Sequence, residues 1–526
     1  MFRSNNVTSR IFERQISTPA PGTSIHRARL FYENIVPSYT VFDVECPDHS
    51  FCKFTEDGLY LISFSRDLKD LIVYRPKWLS FSCREVDCDA HELPEKTKKF
   101  ESFFTQQYSV SLASSGEVVC KEFFLYLANN RFGLFATSTV TSQVQDAPTI
   151  GGALYGIPSF EKITFHLLRL DDGAILDERV FSHDCINLAH SMGVHMYDNL
   201  LAVLSLRYQR IHILQVRDSG DLVDVRCIGE FCHEDDELFL NSSQVIVNHS
   251  GGGFNRREPI PETSFLGVLK QRLLSFIFRG IWNEESDPTM RMQSLKKKFY
   301  LHFQDYVDLI IWKVQFLDRY HLLIKFGSVD VGISRNADSH PAFFAVYNME
   351  TTEIVAFYQN SAEELYLLFE LFCDHFHASS RSSLHTNFIS SHSNNVHALE
   401  QLQCSKSKAS SFSQFVKKVL STLPCSCQSQ SPSPYFDQSL FRYDEKLISA
   451  SDRHRQSIDH PIKFISRRQA NILKFKIKTG PESGNADGRS KKISSFLFHP
   501  IFPLAVSIQH TLYFQPAVVN IHFRQP

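Results

Sequence analysis

The chain has 526 residues, 43% of them hydrophobic and 21% charged, which excludes an unfolded polyelectrolyte and leaves ample apolar surface for a large core. Its 55 basic and 57 acidic residues nearly cancel, so no global field steers it toward nucleic acid or a membrane. Twelve cysteines without a Cys-x-x-Cys pair are too sparse for a disulfide framework, and 46 phenylalanines suit a protein built from many short sheets.

No apolar run of signal type follows Met1, so a soluble intracellular protein is expected. Val7, Ile11, Phe12 and Ile16 fall at helical spacing behind Thr8 and Ser9, with Arg3, Arg10 and Arg14 on remaining positions. Residues 1–36 are therefore expected to form a helical or extended segment that either caps the body or lays an apolar face into a partner's groove.

From Phe54 to Tyr74 the text reads as two strands with their turns: Asp57-Gly58 supplies positive backbone angles, Leu59 to Ile62 a strand, Arg66 to Asp70 a polar turn, Leu71 to Tyr74 a second strand. Looser copies recur. Thr164 to Leu170 and Ala174 to Phe181 flank Asp171-Asp172-Gly173; Met196 to Phe231 contains nearly four strands; Phe316 to Phe326 and Phe343 to Tyr358 form another copy, with Thr351-Thr352 in a turn; Phe498 to Phe514 is the last. A β-sandwich would produce similar hairpins, but their number and spread favour a mainly β, WD40-like β-propeller of seven or eight irregular blades with helical insertions and a disordered Ser-rich loop.

The expected organisation is residues 37–377 as blades carrying helices at 265–281 and 361–376, residues 378–434 as a disordered Ser/His-rich insert, and residues 435–526 as blades closing the ring. The first helix has Leu266, Leu269, Leu273 and Phe276 on one stripe, interrupted by Lys270, Arg272 and Arg279, which argues against a membrane span. The second opens on a capping box, Ser361 with Glu364, followed by Leu365, Leu368, Phe369, Phe372 and Phe376. Both pack on the body or serve as docking surfaces. The insert closes with two Ser-Pro steps at Ser431 and Ser433 that could accept phosphate.

Catalytic motifs are missing where they would be visible: no Gly-x-Ser-x-Gly elbow, no Gly-x-x-x-x-Gly-Lys phosphate loop and no His-Glu-x-x-His, while Gly251 to Gly253 opens no phosphate-binding helix. Cys185 near His183, His190 and His195, and more weakly Cys227 with Cys232 and His233, have metal-like spacing but read as core residues. Glu234 to Glu237 reads as a solvated turn. No cofactor is expected, and no catalytic residue.

The basic features come late. Alternation puts Lys474, Lys476 and Lys478 on one face of a strand, preceded by Arg467 and Arg468 and followed by Arg489, Lys491 and Lys492. This stripe could meet an acidic protein or phosphate, form part of a nuclear import signal, or simply protect an edge strand from aggregation.

Three long segments, RSNNVTSRIFERQ from Arg3, FTEDGLYLISFSRDLKDLIVYRP from Phe54 and YDNLLAVLSLRYQRIHILQV from Tyr197, resemble the De-etiolated-one family, and the likeness extends over essentially the whole chain. The Ser-rich insertion in an otherwise colinear chain favours a plant member. The resemblance implies a nuclear, non-enzymatic subunit of a cullin-four RING ubiquitin ligase assembly that represses photomorphogenesis and light-regulated transcription. Implied partners are the damaged-DNA-binding-type adaptor, a small adaptor-associated accessory protein, a ubiquitin-conjugating enzyme or its inactive variant, a photomorphogenic RING ligase, histones and transcription factors, with no sequence-specific DNA binding. The alternative is a chromatin corepressor that binds histone tails independently of ubiquitin ligation.

Many receptors for that adaptor carry a Trp-Asp-x-Arg box, but Trp78, Trp282 and Trp312 are followed by Leu, Asn and Lys. Adaptor docking is therefore assigned to the N-terminal helix through Arg10, Phe12 and Arg14.

Overall fold

The computed structural model describes residues 33–77, 98–127, 131–140, 160–188, 193–229, 267–327, 342–359, 362–371, 406–407, 411–412, 415, 433, 435, 441–443, 462–467, 469, 472–478, 493–510 and 518–524. These form a mainly β protein with six antiparallel sheets. The first sheet is β2 (His49–Phe54), β3 (Leu61–Ser65), β4 (Asp70–Pro76) and β5 (Phe104–Ser111), in that order. The second joins β6 (Val118–Val119) and β7 (Leu125–Leu127) to β8 (Phe132–Val140), then adds β9 (Phe160–Arg169) and β10 (Ile175–Ser182).

The third sheet runs β11 (Val194–Tyr197), β12 (Leu200–Ser205), β13 (Arg210–Val216), β14 (Leu222–Ile228), and the fourth β15 (Ile310–Phe316), β16 (His321–Gly327), β17 (Ala342–Asn348), β18 (Glu353–Gln359). The fifth has β19 (Phe441–Arg442), β20 (Ile462–Ser466) and β21 (Leu473–Ile477). In the sixth, β22 (Ile493–Phe498), β23 (Leu504–His510) and β24 (Val518–Phe523) are completed by β1 (Tyr39–Val44) from the opposite end of the chain, with Val41 across from Ile521.

Buried side chains cluster where one sheet meets the next. Alternation sends neighbouring residues of a central strand into different clusters: on β12, Leu200, Ala202 and Leu204 pack toward the fourth sheet while Leu201 and Val203 pack toward the second. All of β12 is buried, which is why its sequence is continuously apolar. On β3, Leu61 joins a cluster with the sixth sheet, whereas Ile62 and Phe64 join one with the second. A further cluster unites the fifth and sixth sheets around Phe464 and Phe475, whose rings stack at 4.3 Å. Each fully buried Leu, Val or Phe contributes roughly 1.5–3 kcal/mol.

The turn after β2 refines the sequence expectation. Gly58 alone takes the left-handed conformation, at φ 71°. Strand β3 starts at Leu61 rather than Leu59, because the Asp57 carboxylate accepts from Leu59 N–H (3.0 Å) and the Thr55 hydroxyl from Tyr60 N–H (3.0 Å), holding both amides out of the ladder. Tyr126 donates to the other Asp57 oxygen at 2.7 Å, tying this turn to the second sheet. The Gly58 carbonyl accepts from His499 Nε2 (2.9 Å), and a Cβ on Gly58 would lie 2.4 Å from that ring. Gly58→Ala is expected to cost about 2–4 kcal/mol in urea unfolding, from left-handed strain plus displacement of the His499 ring.

The helices differ in detail from their predicted spans. Helix α1 is Val268–Glu284, α2 Pro288–Leu295, and a π-helical turn Lys296–Tyr300 leads to α3 (Phe303–Val307). Leu269 and Leu273 are buried as expected, but Ile277 and Ile281 complete the stripe at four-residue spacing and Phe276 is only partly buried. Helix α4 is Glu363–Leu371, with Leu365 and Tyr366 buried. Phe265, Leu266, Ser361, Phe372, Phe376 and most of residues 378–434 lie outside the described residues.

Candidate docking surfaces

Two constellations resemble catalytic ones, and their geometry gives each a structural role. On β24, the buried His522 contacts the Ser507 hydroxyl through Nε2 (3.0 Å) and the Thr40 hydroxyl through Nδ1 (2.9 Å). A hydroxyl thus stands where an acyl-transfer triad has its orienting carboxylate. Ser507 is 1% exposed and already donates to the Lys478 carbonyl (3.0 Å), and burial lowers His522 to about 3, leaving a poor base. The set clasps β1, β23 and β24.

The second spans the second sheet: Thr137 on β8 meets His166 Nε2 at 2.9 Å, and Glu178 on β10 meets His166 Nδ1 at 2.7 Å. Hydroxyl, imidazole and carboxylate follow in the order of a triad. Thr137, however, is completely buried, with no face open to a substrate carbonyl. Its side chain serves a cross-strand hydrogen bond.

Of the cysteine and histidine sites, Cys185 and His195 are buried core residues, whereas His183 and Cys227 are exposed, contrary to the expectation of core positions. Burial and the Asp184 charge push the Cys185 thiol up to about 12. His195 Nδ1 accepts from Phe316 N–H at 3.3 Å and burial lowers the ring to about 3, while His183 offers its carbonyl to Arg207. Cys227 is exposed on β14. Among the described residues no three His, Cys, Asp or Glu groups converge as a metal site. His190, Cys232, His233, Glu234 to Glu237 and Gly251 to Gly253 lie outside them.

The basic stripe is partly visible and broader than its sequence pattern. Lys476 is exposed on β21 directly across from exposed Lys463 on β20, and exposed Arg442 on β19 lies across from Ile465, two residues along from Lys463. Residues two apart share a face, so Arg442, Lys463 and Lys476 form one cationic surface. Among the described residues none of the three makes an ion pair, and like charges opposed across a ladder oppose sheet formation. The Phe464–Phe475 stack on the other face offsets that repulsion.

A bulge at Lys474 sets it and Leu473 together opposite Ile465, so regular alternation ends there. Lys478 lies beyond the strand, its ammonium 5.9 Å from the Phe42 ring centroid. Arg467 is exposed just past β20. Arg468, Arg489, Lys491 and Lys492, and the adaptor-docking candidates Arg10, Phe12 and Arg14, lie outside the described residues. In the sequence, the alternation Ile462, Lys463, Phe464 signals the first partner, but only strand register brings Lys463 and Arg442 beside Lys476.

These features define a mainly β protein of serially packed sheets whose nominated residues within view lie on surfaces and in sheet-stapling clusters. The chain belongs to the De-etiolated protein 1 Det1 family, whose model matches residues 121–525. It is 76% identical over 526 residues to "Light-mediated development protein DET1" of Solanum lycopersicum and 67% identical over 545 residues to the protein of that name from Arabidopsis thaliana, covering all of each. Among solved structures, an exo-beta-1,3-galactanase from Phanerochaete chrysosporium aligns over 62% of this chain and 54% of its own at 8% identity, with a TM-score of 0.22. That score establishes no shared fold.

Proposed function

We propose that this protein represses light-regulated development as a non-enzymatic scaffold and substrate receptor of a nuclear cullin-four RING ubiquitin ligase. It links a damaged-DNA-binding-type adaptor, with its small accessory protein, to a ubiquitin-conjugating enzyme or variant and to targets. The observation that carries the developmental role is full-length similarity to two proteins named for light-mediated development. The ligase role rests on the family resemblance.

The sheets suit a scaffold if they are propeller blades. In favour of that arrangement, each cluster lies between sheets consecutive in the chain, and the sixth sheet packs back on the first. A rigid ring would hold a target beside a charged conjugating enzyme, converting a bimolecular encounter into an effectively intramolecular one, with rate set by geometry and local concentration. The cationic surface of Arg442, Lys463 and Lys476 suits an acidic protein better than a basic histone tail, which favours the ligase reading over independent histone binding.

Deleting residues 1–18 tests adaptor docking through Arg10, Phe12 and Arg14. The expected result is loss of the adaptor from co-purified material with unchanged urea unfolding of the remaining chain; an adaptor retained at wild-type stoichiometry refutes the docking assignment.

A further inference from the structure

Edge protection accounts for only part of the charge on the fifth sheet. Lysines on an outer strand discourage pairing with another chain, which suits Lys476 on β21. Lys463, however, stands on β20, the middle strand between β19 and β21, where no open ladder needs guarding. It lies directly across from Lys476, an arrangement that opposes pairing of the two strands. A like-charged pair at a central position hinders folding, which points to a role outside it.

Charge selects the occupant. Arg442, Lys463, Arg467 and Lys476 are exposed and Lys474 is half-buried, whereas no Asp or Glu stands among the described residues of β19 to β21. Glu33 reaches this sheet from the N-terminal side, but it is buried and accepts from Ser466 at 2.7 Å on the opposite face. The excess persists in the flanking sequence, where residues 435–492 hold 13 Lys and Arg against 7 Asp and Glu. The face is not purely ionic. Ile465 lies across from both Arg442 and Leu473, and Leu473 is 42% and Ile472 48% exposed. Cations around aliphatic side chains match a peptide that combines carboxylates with an aliphatic anchor.

A nucleic acid fits this face less well. Phe441, Phe464 and Phe475 are buried and Tyr443 packs on Phe464, so bases find no aromatic platform on which to stack. The net charge of -2 also supplies no long-range attraction for a polyanion. A second copy of the same face would set cations against cations.

We propose that the exposed face of the fifth sheet binds an acidic peptide segment of a partner protein, with its carboxylates on Arg442, Lys463 and Lys476 and an aliphatic side chain on Leu473. This assignment stands apart from the ligase reading, because it concerns the purified chain without adaptor or conjugating enzyme.

The test uses the purified full chain and a fluorescein-labelled peptide with Leu at every third position and Glu or Asp elsewhere, read by anisotropy. A peptide with Lys in place of the acids, one with Ser in place of Leu, and single-stranded and duplex DNA serve as alternatives. Saturable binding of the acidic peptide is expected, weakening as salt rises from about 0.05 M to about 0.5 M. Lys463→Glu should weaken binding about tenfold while leaving the urea midpoint level or higher, since it sets opposite charges across the ladder with Lys476. Arg442→Gln, exposed on β19, is a second charge variant and should weaken binding about threefold. Undiminished binding by either charge variant, equal binding of the Lys or Ser peptide, or tighter binding of either DNA than of the acidic peptide overturns the proposal.

Discussion

Between pH 7.5 and 5.5 the protein is expected to lose several kcal/mol of stability. His195, His499 and His522 are buried in the folded chain, and burial lowers them from near 6.5 to about 3, about 4 and about 3. Below pH 6.5 the unfolded chain therefore binds protons that the folded chain refuses. Their contribution is fully present above 6.5 and is lost as pH falls toward the folded values. With three such groups the loss is about 4 kcal/mol per pH unit below 6.5, against a typical total of roughly 5–15 kcal/mol.

Burial is the main cause of neutrality in each, and at His499 the local geometry adds to it. His499 Nδ1 accepts from the amides of Ile501 (3.0 Å) and Phe502 (2.9 Å), leaving Nε2 to donate to Gly58. A proton added at Nδ1 would break both amide contacts. Urea titrations at pH 7.5, 6.5 and 5.5 measure the slope, and His522→Gln should reduce it by about one third. Equal stability at pH 7.5 and 5.5 contradicts the neutral assignment.

Val41→Asp is expected to unfold much of the sixth sheet and its junction with the first. Val41 on β1 is 6% exposed, lies opposite Ile521, and packs in the cluster with Phe54 and Leu61. The substitution loses roughly 1.5–3 kcal/mol of apolar burial and adds an unpaired buried carboxylate worth several more. Val41→Ala, which only opens space, should cost about 1–3 kcal/mol. Ile521→Asp should match Val41→Asp, and the double variant should cost little beyond either alone, because one detached strand already exposes the other. Fully additive losses in denaturant unfolding would count against a shared closure.

Legibility followed sequence distance. The third sheet was nearly complete in the text from Met196 to Phe231, because its strands are joined by local turns and its centre is continuously apolar. The pairing of β1 with β24 was not, since Thr40 and His522 are 482 positions apart and no local pattern encodes register over that distance. Strands β6 to β8 leave little pattern for another reason: β6 and β7 are too short for a period to develop, and β8 mixes Gly133 and three hydroxyl residues into its run. Of the cationic surface, alternation revealed Lys476, while Lys463 and Arg442 joined it only through register.

The same remote pairing imposes a schedule on the newborn chain. At roughly 5–20 residues per second, about 25–100 s separate translation of β1 from translation of its partner strand. Throughout that interval one half of the clasp waits with unsatisfied backbone groups and bare valines, a natural client for a chaperone. A nonsense codon that removes only the final strand would strand the opening one as well, so loss at the last few codons should be as damaging to accumulation as loss of far longer stretches.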